Sequence, residues 1–149
     1  MSYKLPSHFL CQVLKILGLI TICSWIGFAT IAQTAEPSSV SVKIERIEQR
    51  IQTLSKYGAN PEGGVSRVAF SKADIEGRDY IKDLMRQAGL TVRVDSAGNV
   101  IGRREGSESG LPVIMFGSHI DSVPGGGNYD GDVGVIGSIE VAQLLHENG

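Results

Sequence analysis

The stretch "GSHIDSVPGGGNYDGDVGV", Gly117 to Val135, sets one histidine and three aspartates in a run rich in glycine. Imidazole and carboxylate groups hold divalent metals or move protons, and glycine lets the backbone around them bend tightly and approach other atoms closely. His119 and Asp121 are two residues apart, so in extended chain their side chains leave on the same side. One can then ligate a metal while the other orients it. Asp130 precedes Gly131 at the start of the next predicted helix, and a loop holding three consecutive glycines can bring it back toward His119. Asp132 falls in the first turn of that helix, where a carboxylate is favoured in any case; it is either a cap or extra negative charge beside a metal.

Two other chemistries fail on pattern. A phosphate cradle asks for G-x-G-x-x-G after a strand, whereas "GGGNYD" lacks the last glycine and puts a carboxylate where the phosphate would lie. A nucleophilic serine of the hydrolase type sits in G-x-S-x-G, and neither Ser118 nor Ser122 does. Two readings stay open on spacing alone. One is a metal site; the other is structural, with a hydrogen-bonded histidine and aspartates that cap a helix. Ligand count then bears on the first. A catalytic zinc takes about three protein ligands, and a two-metal centre takes more, with a carboxylate that bridges. His119 and Asp130 supply two. Glu140 and His146 lie on the following helix, about 15 Å and about 24 Å along its axis from Asp130, at about 1.5 Å per residue. His146 suits a helix C-terminus instead, and His8 belongs to the leader. The site is incomplete within these 149 residues.

The elements that must position these residues follow from pattern. Ile44, Ile47, Ile51 and Leu54 recur at helical spacing, with Gly58 as a stop. "ANPEGGVSRVAF", Ala59 to Phe70, is a loop by its proline and glycines. Ser71 with Asp74 three residues on reads as a capping-box-like start to a helix running to Ala88. Its inner face is Ile81, Leu84, Met85 and Ala88, with Gly89 and Leu90 closing the end. "TVRVD" and "VIGRRE" are the two arms of a hairpin around "SAGN". The apolar run Leu111 to Phe116 is predicted to be a central strand covered on both faces, with His119 just past its carboxyl end, where α/β sheets place their sites. The last helix shows Val135, Ile136, Ile139, Ala142 and Leu145 inward and ends at Asn148-Gly149. The order is that of an α/β fold, with only its first three strands apparent. No internal repeat is visible.

With these residues in view, the chain resembles the amidase/hydantoinase/carbamoylase family of two-metal hydrolases, within the wider carboxypeptidase–aminoacylase clan. "GSHIDSVPGGGNYDGDVGV" is similar to that family's first metal-binding segment. "EGGVSR", "AGL" and "DSAGNVIGR" upstream favour the carbamoylase branch over the peptidases. The likeness runs from about Ile44 to Gly149. It implies an α/β, partial zinc-hydrolase catalytic domain, with helices packed on a mixed sheet. It implies that His119 ligates one metal, that Asp130 bridges two, and that Asp121 is the catalytic acid that orients His119. The implied cofactor is a pair of Zn2+ ions, or Mn2+, and the implied reaction is hydrolysis of carbon–nitrogen bonds other than peptide bonds by a metal-activated water. Substrates would be N-carbamoyl amino acids, ureido acids or allantoate-like compounds, and the intact family forms homodimers. A peptidase or aminoacylase of the clan is the alternative. The remaining ligands, the general-base glutamate and the dimerisation domain would fall beyond Gly149. The chain is thus expected to be the N-terminal part of such an enzyme, inactive by itself. Asp132 stands where the family more often has an uncharged residue.

Composition narrows the partners. Net charge is −2 and no basic block occurs, so nucleic acid has no electrostatic footprint here. Residues 1–32 read as a signal peptide. Lys4 and Lys15 precede the charge-free run Ile16 to Ala32, and Thr30 and Ala32 have signal-peptidase spacing. Export to the periplasm or exterior is expected, with an inner-membrane anchor as the alternative. Residues 33–43 are a linker and 44–149 the metallo-hydrolase part. Both cysteines, Cys11 and Cys23, lie in the leader, so the mature part offers no disulfide, thiolate ligand or catalytic thiol.

Overall fold

The structure is a computed structural model and describes residues 40–149. The leader, with its expected signal or anchor, and most of the linker lie outside the described residues. Five elements follow: helix α1, Ile44–Leu54; helix α2, Lys72–Gln87; strands β1, Thr91–Val94, and β2, Val100–Arg103; and helix α3, Asp132–Asn148.

Each helix boundary has a local cause. The Ser71 hydroxyl accepts from the Asp74 amide at 3.3 Å, as a capping box requires. The Asp74 carboxylate turns back to the Phe70 amide at 2.8 Å, one residue earlier than the usual reciprocal bond. At the other end of α2, Gly89 has φ 76°. The Gly89 amide donates to the Arg86 carbonyl and the Leu90 amide to that of Met85, both at 3.0 Å, which is a Schellman closure. β1 and β2 pair antiparallel with Thr91 opposite Arg103 and Val94 opposite Val100. The Asp95 carboxylate holds their turn by accepting from the amides of Ala97 and Asn99 and from the Asn99 side chain.

The core lies where α1, α2 and α3 meet. Ile51 and Leu54 come from α1, Ile81 and Leu84 from α2 with Ala88 after it, and Val135, Ile136, Ile139 and Ala142 from α3. Three expectations are corrected. Ile44, on the apolar stripe of α1, is exposed in the first turn. In α3 Leu144 is buried and Leu145 exposed, because packing against both α1 and α2 sets the rotation of the helix. The largest difference concerns Leu111 to Phe116. No strand forms there, and the large apolar residues Leu111, Val113, Ile114, Met115 and Phe116 are 54–89% exposed. A strand requires a neighbouring backbone. Among the described residues β1 and β2 pair only with each other, as a two-stranded antiparallel sheet and not a mixed one. His119 therefore follows a segment that belongs to no sheet among the described residues.

Among the described residues no helix is long and apolar enough to cross a membrane.

Candidate metal centre

The segment carrying His119 and Asp121 is held from below by the "EGGVSR" loop. Val65 and Gly126 exchange both backbone hydrogen bonds, at 2.9 and 2.8 Å. One step along, the Ser122 amide donates to the Arg67 carbonyl at 2.9 Å. The Arg67 amide donates to the Ser122 hydroxyl at 3.0 Å, and the Gly125 amide to the Ser66 hydroxyl at 3.0 Å. Two stretches some sixty residues apart thus form a short ladder. Gly64, at φ 72°, permits it, since a Cβ there would lie 2.6 Å from the Gly126 carbonyl oxygen.

The start of α3 closes on the same segment from the other side. Gly131, the residue before the helix, has φ 73°, and a Cβ on it would overlap both the carbonyl oxygen and the ring of His119. A Cβ on Gly134 would lie 2.7 Å from the Ser118 Cβ. These two glycines let the helix start seat against Ser118 and His119.

The result brings three predicted residues together. His119 Nε2 lies 3.9 Å from Asp130 Oδ2, and His119 Nδ1 lies 3.5 Å from Asp121 Oδ1. The shorter approach of Nδ1 is to the main-chain carbonyl oxygen of Asp121, at 3.1 Å. With its proton on Nδ1, the ring donates to that carbonyl and presents Nε2 as a lone-pair donor toward Asp130. His119 and Asp121 are half exposed, and the Asp130 side chain is 92% exposed, so the pair faces solvent.

Asp132 does not join them. It is buried, and its two carboxylate oxygens both accept from Nη2 of Arg67, at 2.9 and 2.6 Å. Burial pushes its carboxyl upward and the Arg67 hydrogen bonds oppose the push. Its role is an ion pair beneath the site. Glu140 and His146 are indeed elsewhere. Glu140 binds Arg46 and Arg50, and the His146 ring lies against Gly89. Sequence reasoning missed Arg67. Its signal was an arginine in the otherwise small and apolar "GGVSRVAF", a setting where a charge needs a buried partner.

The donor set fits part of a divalent-metal site. Two ligand atoms held at about 2.1 Å from a tetrahedral ion lie about 3.4 Å apart, close to the 3.9 Å between His119 Nε2 and Asp130 Oδ2. One imidazole nitrogen and one carboxylate oxygen are donors that several divalent ions accept, zinc and manganese among them. Among the described residues no group of three or more histidine, cysteine, aspartate or glutamate side chains is placed to share an ion.

Several known proteins are similar to this chain. A family model described as Peptidase family M28 matches residues 99–149. The ureidoglycolate hydrolase of Arabidopsis thaliana is 44% identical over 112 residues, covering 75% of this chain and 24% of that protein. The N-carbamoyl-L-amino acid amidohydrolase of Geobacillus stearothermophilus is 44% identical over 105 residues, 70% of this chain and 26% of that protein. The crystal structure of a hydantoinase/carbamoylase family amidase from Burkholderia multivorans superposes with a TM-score of 0.71 at 41% identity, covering 74% of this chain and 27% of that one. The chain spans about a quarter of the length of the relatives it matches. The amidase matches extend over 105–112 residues, well beyond the part shared with the peptidase family. Over about three quarters of its length the chain is similar, in sequence and in fold, to part of the amidases of the hydantoinase/carbamoylase family.

Proposed function

We propose that this chain supplies the first part of a two-metal amidohydrolase centre, which hydrolyses carbon–nitrogen bonds other than peptide bonds in N-carbamoyl amino acids, ureido acids or allantoate-like compounds. The observation that carries this reading is the convergence of His119 Nε2 and Asp130 Oδ2 to 3.9 Å on a chain 44% identical to two such hydrolases. His119 and Asp130 would hold the metal, with Asp130 as the bridge between two ions. A bound zinc would lower the pKa of a water toward neutrality and polarise the scissile carbonyl. Zn2+ and Mn2+ are both compatible with these donors.

The chain's own contribution is orientation. The Asp121 main-chain carbonyl at 3.1 Å fixes the His119 tautomer, and the Asp121 carboxylate at 3.5 Å adds negative charge that makes the imidazole a better donor. His119 and Asp130 are too few to fix two ions, and among the described residues no third histidine, cysteine, aspartate or glutamate is placed to share one with them, so the 149-residue chain by itself is expected to show no turnover. Export through the leader, with charge-free Ile16 to Ala32 as its basis, and assembly as a homodimer belong to the same reading.

A chimera tests it. Residues 44–149 replace the matching segment of the Geobacillus amidohydrolase, and N-carbamoyl amino acid hydrolysis is assayed with added zinc or manganese. Turnover that His119→Ala and Asp130→Ala each abolish is the expected result. A folded chimera without turnover, or one indifferent to His119→Ala, refutes the reading. The peptidase-family match over residues 99–149 favours a second reading, a clan peptidase or aminoacylase. Cleavage of peptides or N-acyl amino acids in preference to N-carbamoyl ones would select it.

A further inference from the structure

Arg67 is fully buried, and every nitrogen of its guanidinium is used. Nε donates to the Ile120 carbonyl at 2.5 Å. Nη1 donates to the carbonyls of Leu54 and Tyr57, at 2.9 and 3.0 Å. Nη2 donates to both oxygens of Asp132. Ile120 is the residue between His119 and Asp121, and Asp132 is two residues after Asp130. One side chain therefore grips the backbone on which two of the site residues stand and the helix start next to the third, and it ties both to the end of α1. Only the planar five-donor fork of arginine can do this, since lysine has one nitrogen.

Two observations argue that this pair is kept for placement more than for stability. A buried ion pair often contributes no more than well-packed apolar residues would. And α2 gives up helix propensity to admit it, because Gly77 stands in mid-helix, where a Cβ would meet the Arg67 Cδ at 3.1 Å. Glycine in a helix interior is less favourable than alanine, because it loses more backbone freedom on folding.

We propose that Arg67 is the positioning residue of the site, setting the distance between His119 and Asp130 by fixing the Ile120 carbonyl against the Asp132 carboxylate. This rests on the metal-centre reading for its purpose, though its geometry can be tested apart from it.

The experiment compares Arg67→Met, Arg67→Lys and Glu140→Gln in the full chain, by hydrogen–deuterium exchange and by zinc binding. Glu140→Gln disturbs the other buried ion cluster, remote from the site. Arg67→Met is expected to speed exchange in the peptide containing His119 to Val123, where the Ser122 amide donates to the Arg67 carbonyl, at least about tenfold more than in residues 139–147, which report the global loss of stability, and to weaken zinc binding about tenfold or more, as loss of a group behind a metal ligand does. Arg67→Lys should regain global stability through Asp132 but not the slow exchange of residues 119–123, since it cannot also reach Ile120. Glu140→Gln should leave the 119–123 peptide and zinc binding alone. If Arg67→Lys restores both, or Arg67→Met loosens 119–123 no more than Glu140→Gln does, Arg67 is merely structural and the proposal fails. If the unmutated chain binds no zinc through His119, the metal reading fails, and the exchange pattern still decides the role of Arg67.

Discussion

At the start of α3 one carboxylate, Asp132, meets one arginine; farther along, Glu140 meets two. The Arg67–Asp132 pair is 1% exposed on both sides, and the remaining donors of Arg67 go to main-chain carbonyls. Glu140 bridges Arg46 and Arg50, with Arg46 reaching on to the partly exposed Glu147 and Arg50 to Gln143. That cluster joins side chain to side chain across α1 and α3, apart from one bond from the Lys43 amide. Burial pushes the Glu140 carboxyl upward, but the Arg46 hydrogen bonds and the Lys43 amide outweigh it, and the group stays below its usual range. A guanidinium bonded to carbonyls fixes a backbone, whereas side chains bonded to each other dock two helices. Only the first kind can hold a functional loop in register.

The comparison can be broken most sharply at Arg67. Arg67→Met leaves Asp132 buried without its partner and should destabilise the fold by about 3–5 kcal/mol, read by denaturant unfolding. Adding Asp132→Leu should recover much of that loss without restoring slow exchange at residues 119–123, which separates stability from placement. Gly131→Ala comes next. It forces a side chain into φ 73° and onto His119, with an expected loss of about 1–3 kcal/mol and weaker metal binding. Glu140→Gln keeps one hydrogen-bonding oxygen and loses the charge, so about 1–2 kcal/mol is expected, with no change at His119. The smallest effect is the pH dependence of the exposed rim. Hydrogen bonds from Arg46, and then Lys43, hold the Glu147 carboxyl at about 2, against an ordinary 4.5. A carboxyl lowered on folding stabilises the native state above its unfolded value. That contribution should therefore be complete above about 4.5 and fade as pH falls toward 2, and Glu147→Gln should flatten this part of an unfolding-versus-pH curve.

How far the sequence led can be judged at particular residues. Period and capping chemistry found α1, α2, the hairpin and α3, because Ser71, Gly89 and the "SAGN" turn are local signals with local causes. That a loop with three consecutive glycines can bring Asp130 back toward His119 was legible, and the two stand 3.9 Å apart; spacing alone left the metal and helix-cap readings both open. What failed depends on partners distant in sequence. Leu111 to Phe116 reads as a buried strand, yet a strand is a property of two backbones, and no second one meets it among the described residues. Asp132 read equally well as a cap or as charge near a metal. Its partner lies sixty-five residues earlier, and nothing near Asp132 in sequence announces Arg67. The Leu144–Leu145 reversal has the same origin, since two neighbouring helices, and not the helix itself, set its rotation.

The central claim concerns His119 and Asp130, and a zinc titration of the full chain followed by nitrogen NMR of the histidine ring tests it most directly. Expected is a selective shift of His119 Nε2, with Nδ1 remaining protonated, that Asp130→Asn strongly weakens and His119→Ala removes, while His146 stays unmoved. A zinc response at His146 alone, or one at His119 that is indifferent to Asp130→Asn, would contradict it.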